Sequence, residues 1–387
     1  MNRYYTDLHI HIGRTKSGKP VKITGSSTLT FTNIIHYAKF QKGLDMIGII
    51  DAHSPEVLAE IEQQMEDHLI VPKANGGLDM DGLTIILGSE LEIYDQNCNG
   101  PVHVLVFLPT LEKMKLFSDW LSYHLKNITL SSQRMYTTGL ELQKKIKSMG
   151  GLFIPAHIFT PFKSLYGKGV KQTLAEIFDP ELIDAVELGL SADTKMADCL
   201  AELHRYTFLT NSDAHSLGKI AREYQIIEMK EASFLELEKA LKGMEGRGVK
   251  ANYGLDPLLG KYHETVCAKC FNRLANIEET CSVCGSQKSI KGVAARIKEL
   301  SNSTLQISRP PYINQIPLEF IPGLGKKTLE KLLQYFSTEM QIIHEVPSEK
   351  LAEVLPKKIA DYIIAARNGT LLISIGGGGK YGKVKKS

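Results

Sequence analysis

The spacing of apolar residues predicts that short strands and helices alternate over most of the first half of the chain. Apolar runs typical of buried strands recur, and segments with helical periodicity separate them. The predicted strands cover residues 4–12, 46–50, 84–87, 102–107, 152–157, 185–191 and 207–210. The predicted helices cover residues 31–40, with Thr32 as a candidate N-cap, 55–68, 115–125, 138–149, 170–177 and 197–204.

This order of elements indicates parallel strands joined by crossover helices, which fold as a barrel or as a doubly wound sheet. In a barrel the carboxyl ends of the strands converge on one mouth, whereas an open sheet spreads them along a line. The pattern favours an α/β barrel, because polar residues with metal-binding side chains lie at or just after several predicted strand ends. These residues are His53, Glu90, His157, Asp213 and His215.

The first predicted strand carries Asp7, His9 and His11. Side chains at positions i and i+2 share one face of a strand, so these three are expected to point the same way. Two imidazoles and a carboxylate at this spacing suit a divalent cation. A strand whose polar face is simply hydrated is the alternative.

Composition indicates a soluble globular protein of more than one domain, since 43% of its 387 residues are hydrophobic and 23% are charged. No apolar run reaches about 18 residues, and the first strand begins too early to leave room for a signal peptide. We therefore expect a cytoplasmic protein that does not bind membranes. Residues 255–387 contain 19 Lys and Arg against 12 Asp and Glu, a net charge of +7, whereas the preceding residues carry −4. The basic part suits a polyanion.

Four of the six cysteines form two Cys-x-x-Cys pairs that are ten residues apart. Pairs at this spacing are typical of a closed structural zinc site, which stabilises a small module whose own core is thin. A catalytic zinc is less favoured, because four thiolates leave no ligand position open. The predicted zinc ligands are Cys267, Cys270, Cys281 and Cys284.

Residues 320–333 resemble the helix-hairpin-helix element of DNA repair proteins. In that element a Gly-x-Gly turn at a helix N-terminus presents backbone N–H groups to a phosphate, and lysines add charge. Residues 348–367 look like a second, degenerate copy, and an ordinary helix cap is the alternative for each turn. The basic, glycine-rich residues 376–386 could also contact a DNA backbone, plain disorder being the alternative. The predicted DNA-binding residues are Gly323, Gly325, Lys326, Lys327 and Thr328.

The series of strand-end ligands from Asp7 to His215 resembles the motifs of the polymerase and histidinol phosphatase (PHP) superfamily, over residues 1–250. Its members have an irregular (β/α)7 barrel with up to three metal ions at the mouth. The resemblance implies two to three divalent cations, with Zn²⁺, Mn²⁺ or Fe²⁺ favoured over Mg²⁺ because imidazole ligands are abundant. It also implies that a metal-activated water hydrolyses a phosphoester, with Glu90, Asp213 and His215 as the catalytic residues.

The resemblance further implies three sets of metal ligands. The chain departs from the fuller family pattern at Gly13–Lys16, where many members have a further histidine. The third set is therefore expected to bind more weakly, or to be completed by water, Asp7 or Asp51. The favoured role for these two aspartates is to orient His9 and His53. The expected sets are His9, His11, Glu90 and Asp213 for the first ion, Glu90, His103 and His157 for the second, and His53 and His215 for the third.

A PHP barrel, a four-cysteine zinc module and a helix-hairpin-helix element in one chain resemble the endonuclease Q family over nearly the whole length. Members nick DNA on the 5′ side of deaminated bases, namely uracil, hypoxanthine and xanthine, and of abasic sites. The resemblance implies this activity on damaged double-stranded DNA, with single-stranded DNA as a further candidate. It implies domains at 1–250, 251–307 and 308–387. The alternatives are a small-molecule phosphatase of the histidinol phosphate type and a non-catalytic scaffold that binds DNA lesions.

Deamination replaces an amino group with a carbonyl, so a pocket that prefers deaminated bases must present hydrogen-bond donors. Asn211 and Ser191 lie at strand ends near the metal ligands and could donate. Phe159 and Phe162, just after His157, could stack on a base extruded from the duplex. These four residues are the predicted lesion pocket, and the alternative is a strand-end turn with aromatic residues of the barrel core.

Overall fold

The computed structural model describes residues 1–260, 262–305, 307–371, 373–374 and 383–384. Most of the glycine-rich tail predicted at 376–386 therefore lies outside the described residues. The strands are β1 Asn2–Ile10, β2 Met46–Ile49, β3 Val71–Pro72, β4 Leu78–Met80, β5 Leu83–Ile93, β6 Val102–Leu108, β7 Leu152–Pro155, β8 Ala185–Glu187, β9 Thr207–Leu209, β10 Tyr224–Met229, β11 Gly248–Gly254, β12 Val266–Cys267, β13 Ser289–Ile290, β14 Tyr312–Asn314, β15 Ile373–Ser374 and β16 Lys383–Val384. The α-helices are α1 Phe31–His36, α2 Pro55–Glu66, α3 Leu111–Ser122, α4 Gly139–Ser148, α5 Thr194–Ala197, α6 Phe234–Leu241, α7 Val293–Leu300, α8 Lys326–Phe336, α9 Glu339–His344, α10 Ser348–Val354 and α11 Lys357–Arg367.

The predicted α/β barrel is confirmed. Strands β1, β2 and β5 pair in parallel, β6 joins β5 and β7, and β10 joins β1 and β11. The parallel pair β8 and β9 completes the ring, with β8 against β7 and β9 against β11. The strands bury side chains on both faces, as expected for a sheet covered by helices.

The prediction of parallel barrel strands is wrong at β6, which runs antiparallel to both β5 and β7, and β10 is likewise antiparallel to β1 and β11. A hairpin connects β5 to β6, so the start of β6 lies beside the end of β5. In this register Glu92 faces His103, two residues beyond Glu90. The reversal therefore brings His103 to the same mouth as the strand-end ligands.

Two predicted helices and one predicted cap are corrected. Residues 170–177 form only a 3-10 turn at Leu174–Glu176, because the Glu176 carboxylate accepts from the N–H groups of residues 171–173 outside a helix. Residues 197–204 contain the end of α5 and a 3-10 turn at Ala201–Leu203. Thr30, and not Thr32, caps α1, since its extended backbone lets its hydroxyl accept from the Asn33 N–H.

The carboxyl-terminal part consists of the β12–β13 hairpin with α7, followed by four helices, α8 to α11, around a separate hydrophobic core. Strand β14 adds to the barrel sheet beside β11. The helices dock on the barrel through a buried ion pair between Lys42 and Glu339, 2.8 Å long, and through His344 against Tyr224. Within the described residues we find no helix long and apolar enough to span a membrane.

Candidate active site

Glu90 lies at the centre of a cluster of imidazoles at the barrel mouth. Its Oε1 lies 2.9 Å from Nδ1 of His103 and 3.4 Å from Nε2 of His157. Nε2 of His9 and Nε2 of His11 each lie 3.5 Å from a Glu90 oxygen. The potential ligand atoms form three overlapping groups: His9, His11 and Glu90; Glu90, His103 and His157; His11, Asp213 and His215.

The imidazoles of His9 and His11 fit a metal ion. In each ring a carboxylate accepts from Nδ1, Glu187 at 3.0 Å for His9 and Asp51 at 3.0 Å for His11. Nε2 of both rings is buried and has no hydrogen-bond partner. A metal-ligating histidine typically donates from one ring nitrogen to a carboxylate and leaves the other nitrogen available for the ion. The donor set of imidazoles and carboxylates suits the cations expected from the sequence.

The cluster keeps its carboxylates ionised despite burial. Burial raises the pKa of Glu90, but the imidazole of His103 and the ammonium of Lys22 outweigh it and hold that pKa well below its usual range. Burial likewise opposes ionisation of Asp213, and the imidazoles of His9 and His11 hold its pKa well below the ordinary value. The ionised oxygens of Glu90 and Asp213 therefore attract positive charge to this site.

Two residues of the cluster have left-handed backbones. The φ angles are +30° for His157 and +45° for Asp213, both unusual for residues with a side chain. A Cβ at Gly189, at the end of β8, would lie 2.9 Å from the His157 Cβ. Only glycine therefore fits beside this strained residue.

The expected ligands of the first and second ions lie together, but the third set does not. Within the described residues His53 belongs to none of the ligand groups, and its Nε2 lies 3.4 Å from the Leu130 carbonyl oxygen. His215 lies instead beside Asp213 and His11. The ligand roles themselves stay predictions.

The predicted roles of the two aspartates need correction. Asp51 orients His11 and not His53, because its Oδ2 accepts from His11 Nδ1 and from the Ile12 N–H. Asp7 accepts from the backbone N–H groups of His9, Ser212 and Ala221. The register of β1 against β2 shifts between Asp7 and Ile10, where the regular alternation of the strand is interrupted.

Sequence reasoning missed Glu187 and Lys22. Glu187 is buried, accepts from His9 and also from the backbone N–H of His157. A lone carboxylate at the end of an apolar strand was the available signal. Lys22 donates to Glu90 at 3.0 Å and to Ser132. No pattern distinguishes Lys22 from the other lysines of its loop.

A cavity of about 750 Å³ opens beside the cluster. Ser191 and Phe162 line it, as predicted, together with Thr160 and Lys163. Tyr262 lies against Phe162, with ring centroids 5.3 Å apart.

Asn211 and Phe159 do not line this cavity, and the prediction is wrong for both. Asn211 is buried behind the site, where its amide donates to Glu187 and its carbonyl accepts from Leu8 and Gln225. Phe159 is 2% exposed and stacks on Tyr166. Both side chains belong to the barrel core.

The four predicted zinc ligands converge. The Sγ atoms of Cys267 and Cys284 are 3.5 Å apart, those of Cys270 and Cys281 are 3.4 Å apart, and all four lie within 4.8 Å of one another. The thiols fit a tetrahedral structural zinc. No disulfide joins them.

The predicted DNA-binding turn lies at the start of α8. Gly323 has φ +87°, a conformation that favours glycine, and Gly325 is the N-cap. Both glycines, Lys326 and Lys327 are exposed, and Thr328 is half-buried. The degenerate copy is the hairpin of α10 and α11, which Lys331 joins to the first copy by donating to the Val354 carbonyl. The first helix of the first copy is only the 3-10 turn Leu318–Phe320.

Known proteins resemble this chain over its whole length. The uncharacterized protein YqxK of Bacillus subtilis is 56% identical over 386 residues, which is 100% of both chains. The lesion-specific endonuclease PfuEndoQ from Pyrococcus furiosus is 33% identical, with a TM-score of 0.84 over 99% of this chain and 95% of that one. Endonuclease Q in complex with a 27-mer duplex substrate with an abasic lesion at the active site is 32% identical, with a TM-score of 0.85 over 100% and 97%.

A more distant relative, the uncharacterized protein MJ0043 of Methanocaldococcus jannaschii, is 38% identical over 253 residues. This match covers 58% of the present chain and 31% of the relative. No family model matches the chain.

Proposed function

This chain belongs to the endonuclease Q family, and we propose on that basis that it is a DNA repair endonuclease that cuts on the 5′ side of deaminated bases and abasic sites. The deaminated bases are uracil, hypoxanthine and xanthine, and the partner is duplex DNA that carries the lesion. The observation that carries the proposal is the Glu90 cluster, whose unpartnered histidine nitrogens converge beside an open cavity in a chain that matches this family end to end.

Two ions fit the residues that lie together. The first would be held by His9, His11, Glu90 and Asp213, and the second by Glu90, His103 and His157. Such ions, when bound, lower the pKa of a water and offset the charge of a phosphate. Glu187 and Asp51 fix the rings of His9 and His11, so that both Nε2 lone pairs face the same space.

His215 is the proposed proton acceptor. Its Nδ1 lies 3.0 Å from the Asp213 carbonyl oxygen and can donate to it. That hydrogen bond leaves Nε2 unprotonated in a ring that lines the cavity. Nε2 can therefore take a proton from the attacking water.

Two cavity residues support selection of the lesion. The Ser191 hydroxyl can donate to the carbonyl that deamination creates. Phe162 is 46% exposed and can stack on an extruded base. At the carboxyl-terminal end, the backbone N–H groups at the start of α8, with Lys326 and Lys327, would bind the duplex backbone.

The test uses end-labelled duplexes that carry one uracil, hypoxanthine, xanthine or abasic site, with Mn²⁺, Zn²⁺ or Mg²⁺, beside an undamaged duplex. We expect a single nick immediately 5′ of the lesion, no nick in undamaged DNA, and none with Asp213→Ala. Asp119→Ala, on the exposed face of α3, is the matched control and should cut like the native protein.

Two results would overturn the proposal. Release of phosphate from small monoesters without DNA cleavage would indicate a phosphatase of the histidinol phosphate type. Tight binding of lesion DNA without cleavage under any metal would indicate a scaffold.

A further inference from the structure

The ligands for a third barrel ion are incomplete in this chain. His11 has one nitrogen available for a metal, because Asp51 occupies its Nδ1, and that nitrogen already faces Glu90 in the first group. The group of His11, Asp213 and His215 therefore shares His11 with the first group, and both cannot use it at once. His53 has an unpartnered, buried Nδ1, but within the described residues it lies outside the ligand groups, and its Nε2 faces the Leu130 carbonyl. His215 and a shared Asp213 oxygen are what this part of the mouth offers a third ion.

Lys22 lies in the part of the mouth where the ligands for a third ion are incomplete. The Lys22 side chain is 13% exposed, and its ammonium lies 3.0 Å from Glu90 Oε2. It also donates to Ser132. The carboxylates of Asp51 and Asp213 act on the same ammonium. Lys22 and Ser132 both line the cavity beside Asp213 and His215, so this charge faces the space open to substrate.

We infer that the ammonium of Lys22 takes the place of a third metal ion in this barrel and binds the scissile phosphate with its Nζ. The inference rests on the proposed function for the identity of the phosphate. The positive charge at the cluster would then come from two divalent ions and one ammonium. An ammonium can donate hydrogen bonds to a non-bridging phosphate oxygen as it does now to Glu90. Unlike a metal ion, the ammonium does not bind a water molecule and lower its pKa. Its contribution is positive charge and orientation of the phosphate.

Metal counting tests the inference without any assay of activity. The holoprotein, dialysed free of loose metal, is analysed by inductively coupled plasma mass spectrometry and by native mass spectrometry. We expect two barrel ions and one zinc at the four cysteines, three ions per chain, and the same count for Lys22→Met. Lys22→His, which adds an imidazole beside Glu90, should raise the count to four. Four ions in the native protein would overturn the inference.

Kinetics give a second readout. With lesion DNA, Lys22→Met should lose about two orders of magnitude in kcat, the cost of removing one positive group from a developing oxyanion, while KM changes little. Lys22→Arg should recover part of that loss. The control is Lys19→Met, a lysine of the same loop that is exposed and pairs with Glu56. A kcat of Lys22→Met within twofold of the native value would also overturn the inference. If the native protein cuts no lesion, the proposed function fails, and the metal count still shows whether the barrel lacks a third ion.

Discussion

Glu223 is a buried carboxyl group whose protonation makes stability depend on pH. Its side chain is 0% exposed, one oxygen accepts from the Leu255 N–H at 2.7 Å, and the other has no partner. Burial raises its pKa from 4.5 to about 8, and the hydrogen bond from Leu255 and the charge of Arg222 offset only part of this. At neutral pH the folded protein holds this group protonated, whereas the unfolded chain ionises it.

The sign and size of this pH dependence follow from the linkage between proton binding and folding. Between pH 4.5 and pH 8 the folded state binds more protons than the unfolded state, so the free energy of unfolding falls as pH rises. The stabilising contribution is fully present below pH 4.5 and is lost as pH rises through about 8. Each pKa unit corresponds to about 1.4 kcal/mol, so the contribution totals about 5 kcal/mol.

Glu223→Gln removes this dependence, because an amide of the same shape does not ionise and can still accept from Leu255. The two proteins should have similar free energies of unfolding near pH 5. The variant should be more stable by about 3 to 5 kcal/mol near pH 9. Urea unfolding at five pH values measures this, followed by the fluorescence of Trp120, the single tryptophan, which stacks on Phe117 in α3 of the barrel.

Titration of the metal ligands is common to both proteins and cancels in the difference between them. Glu62→Gln, at an exposed position on α2, is the control and should follow the native curve. If the stability curves of the native protein and Glu223→Gln stayed parallel from pH 5 to pH 9, Glu223 would be ionised in the folded state and the reasoning would be refuted.

Three further predictions concern the site and the carboxyl-terminal helices. Glu187→Gln should lower metal affinity about 10- to 100-fold, because a neutral amide orients the ring of His9 less firmly than a carboxylate and makes it a weaker ligand. Competition with a chelator measures this. An unchanged affinity would show that Glu187 is not needed to orient the ring. Replacing both Lys326 and Lys327 by alanine should weaken duplex binding and reduce the slope of log K, the logarithm of the binding constant, against log salt concentration by about two. Fluorescence anisotropy at several salt concentrations measures this slope. An unchanged slope would show that the two lysines do not contact DNA. Lys42→Met should cost about 3 kcal/mol in urea unfolding, because Glu339 is left buried without its partner. A cost below about 1 kcal/mol would show that the ion pair is not needed to hold Glu339 at this interface.

The strand-end positions of the Glu90 cluster could be predicted because they follow apolar runs that only a buried strand explains, as with His157 after β7. The failed helix at 170–177 shows the limit of this reasoning. Its periodicity is helical, but one carboxylate, Glu176, satisfies the backbone donors that a helix would use. Local side-chain competition of this kind leaves no trace in a hydrophobic pattern.

Residues that act on other residues were the hardest to find. Glu187 and Lys22 are single charged residues without any spacing rule, and only the folded contacts show that one holds His9 and the other faces Glu90. Asn211 and Phe159 were placed in the cavity because they neighbour ligands in the chain. Each lies two residues from its ligand, Asn211 before Asp213 and Phe159 after His157, which would share a face in a regular strand. The left-handed backbones of His157 and Asp213 interrupt that alternation, so sequence proximity did not place the side chains on the same wall.

The β5–β6 hairpin sets different tolerances for insertion along one short stretch of the chain. The loop at residues 94–101 lies outside the paired residues, so a change in its length need not alter the register of the two strands, whereas one residue inserted between Glu90 and Ile93 would turn His103 away from Glu90. Descendants of this sequence are therefore free to lengthen the loop beside the mouth, which offers a place to acquire new contacts with substrate. They are not free to lengthen the strand, since a single added residue there would separate the side chains of the metal cluster.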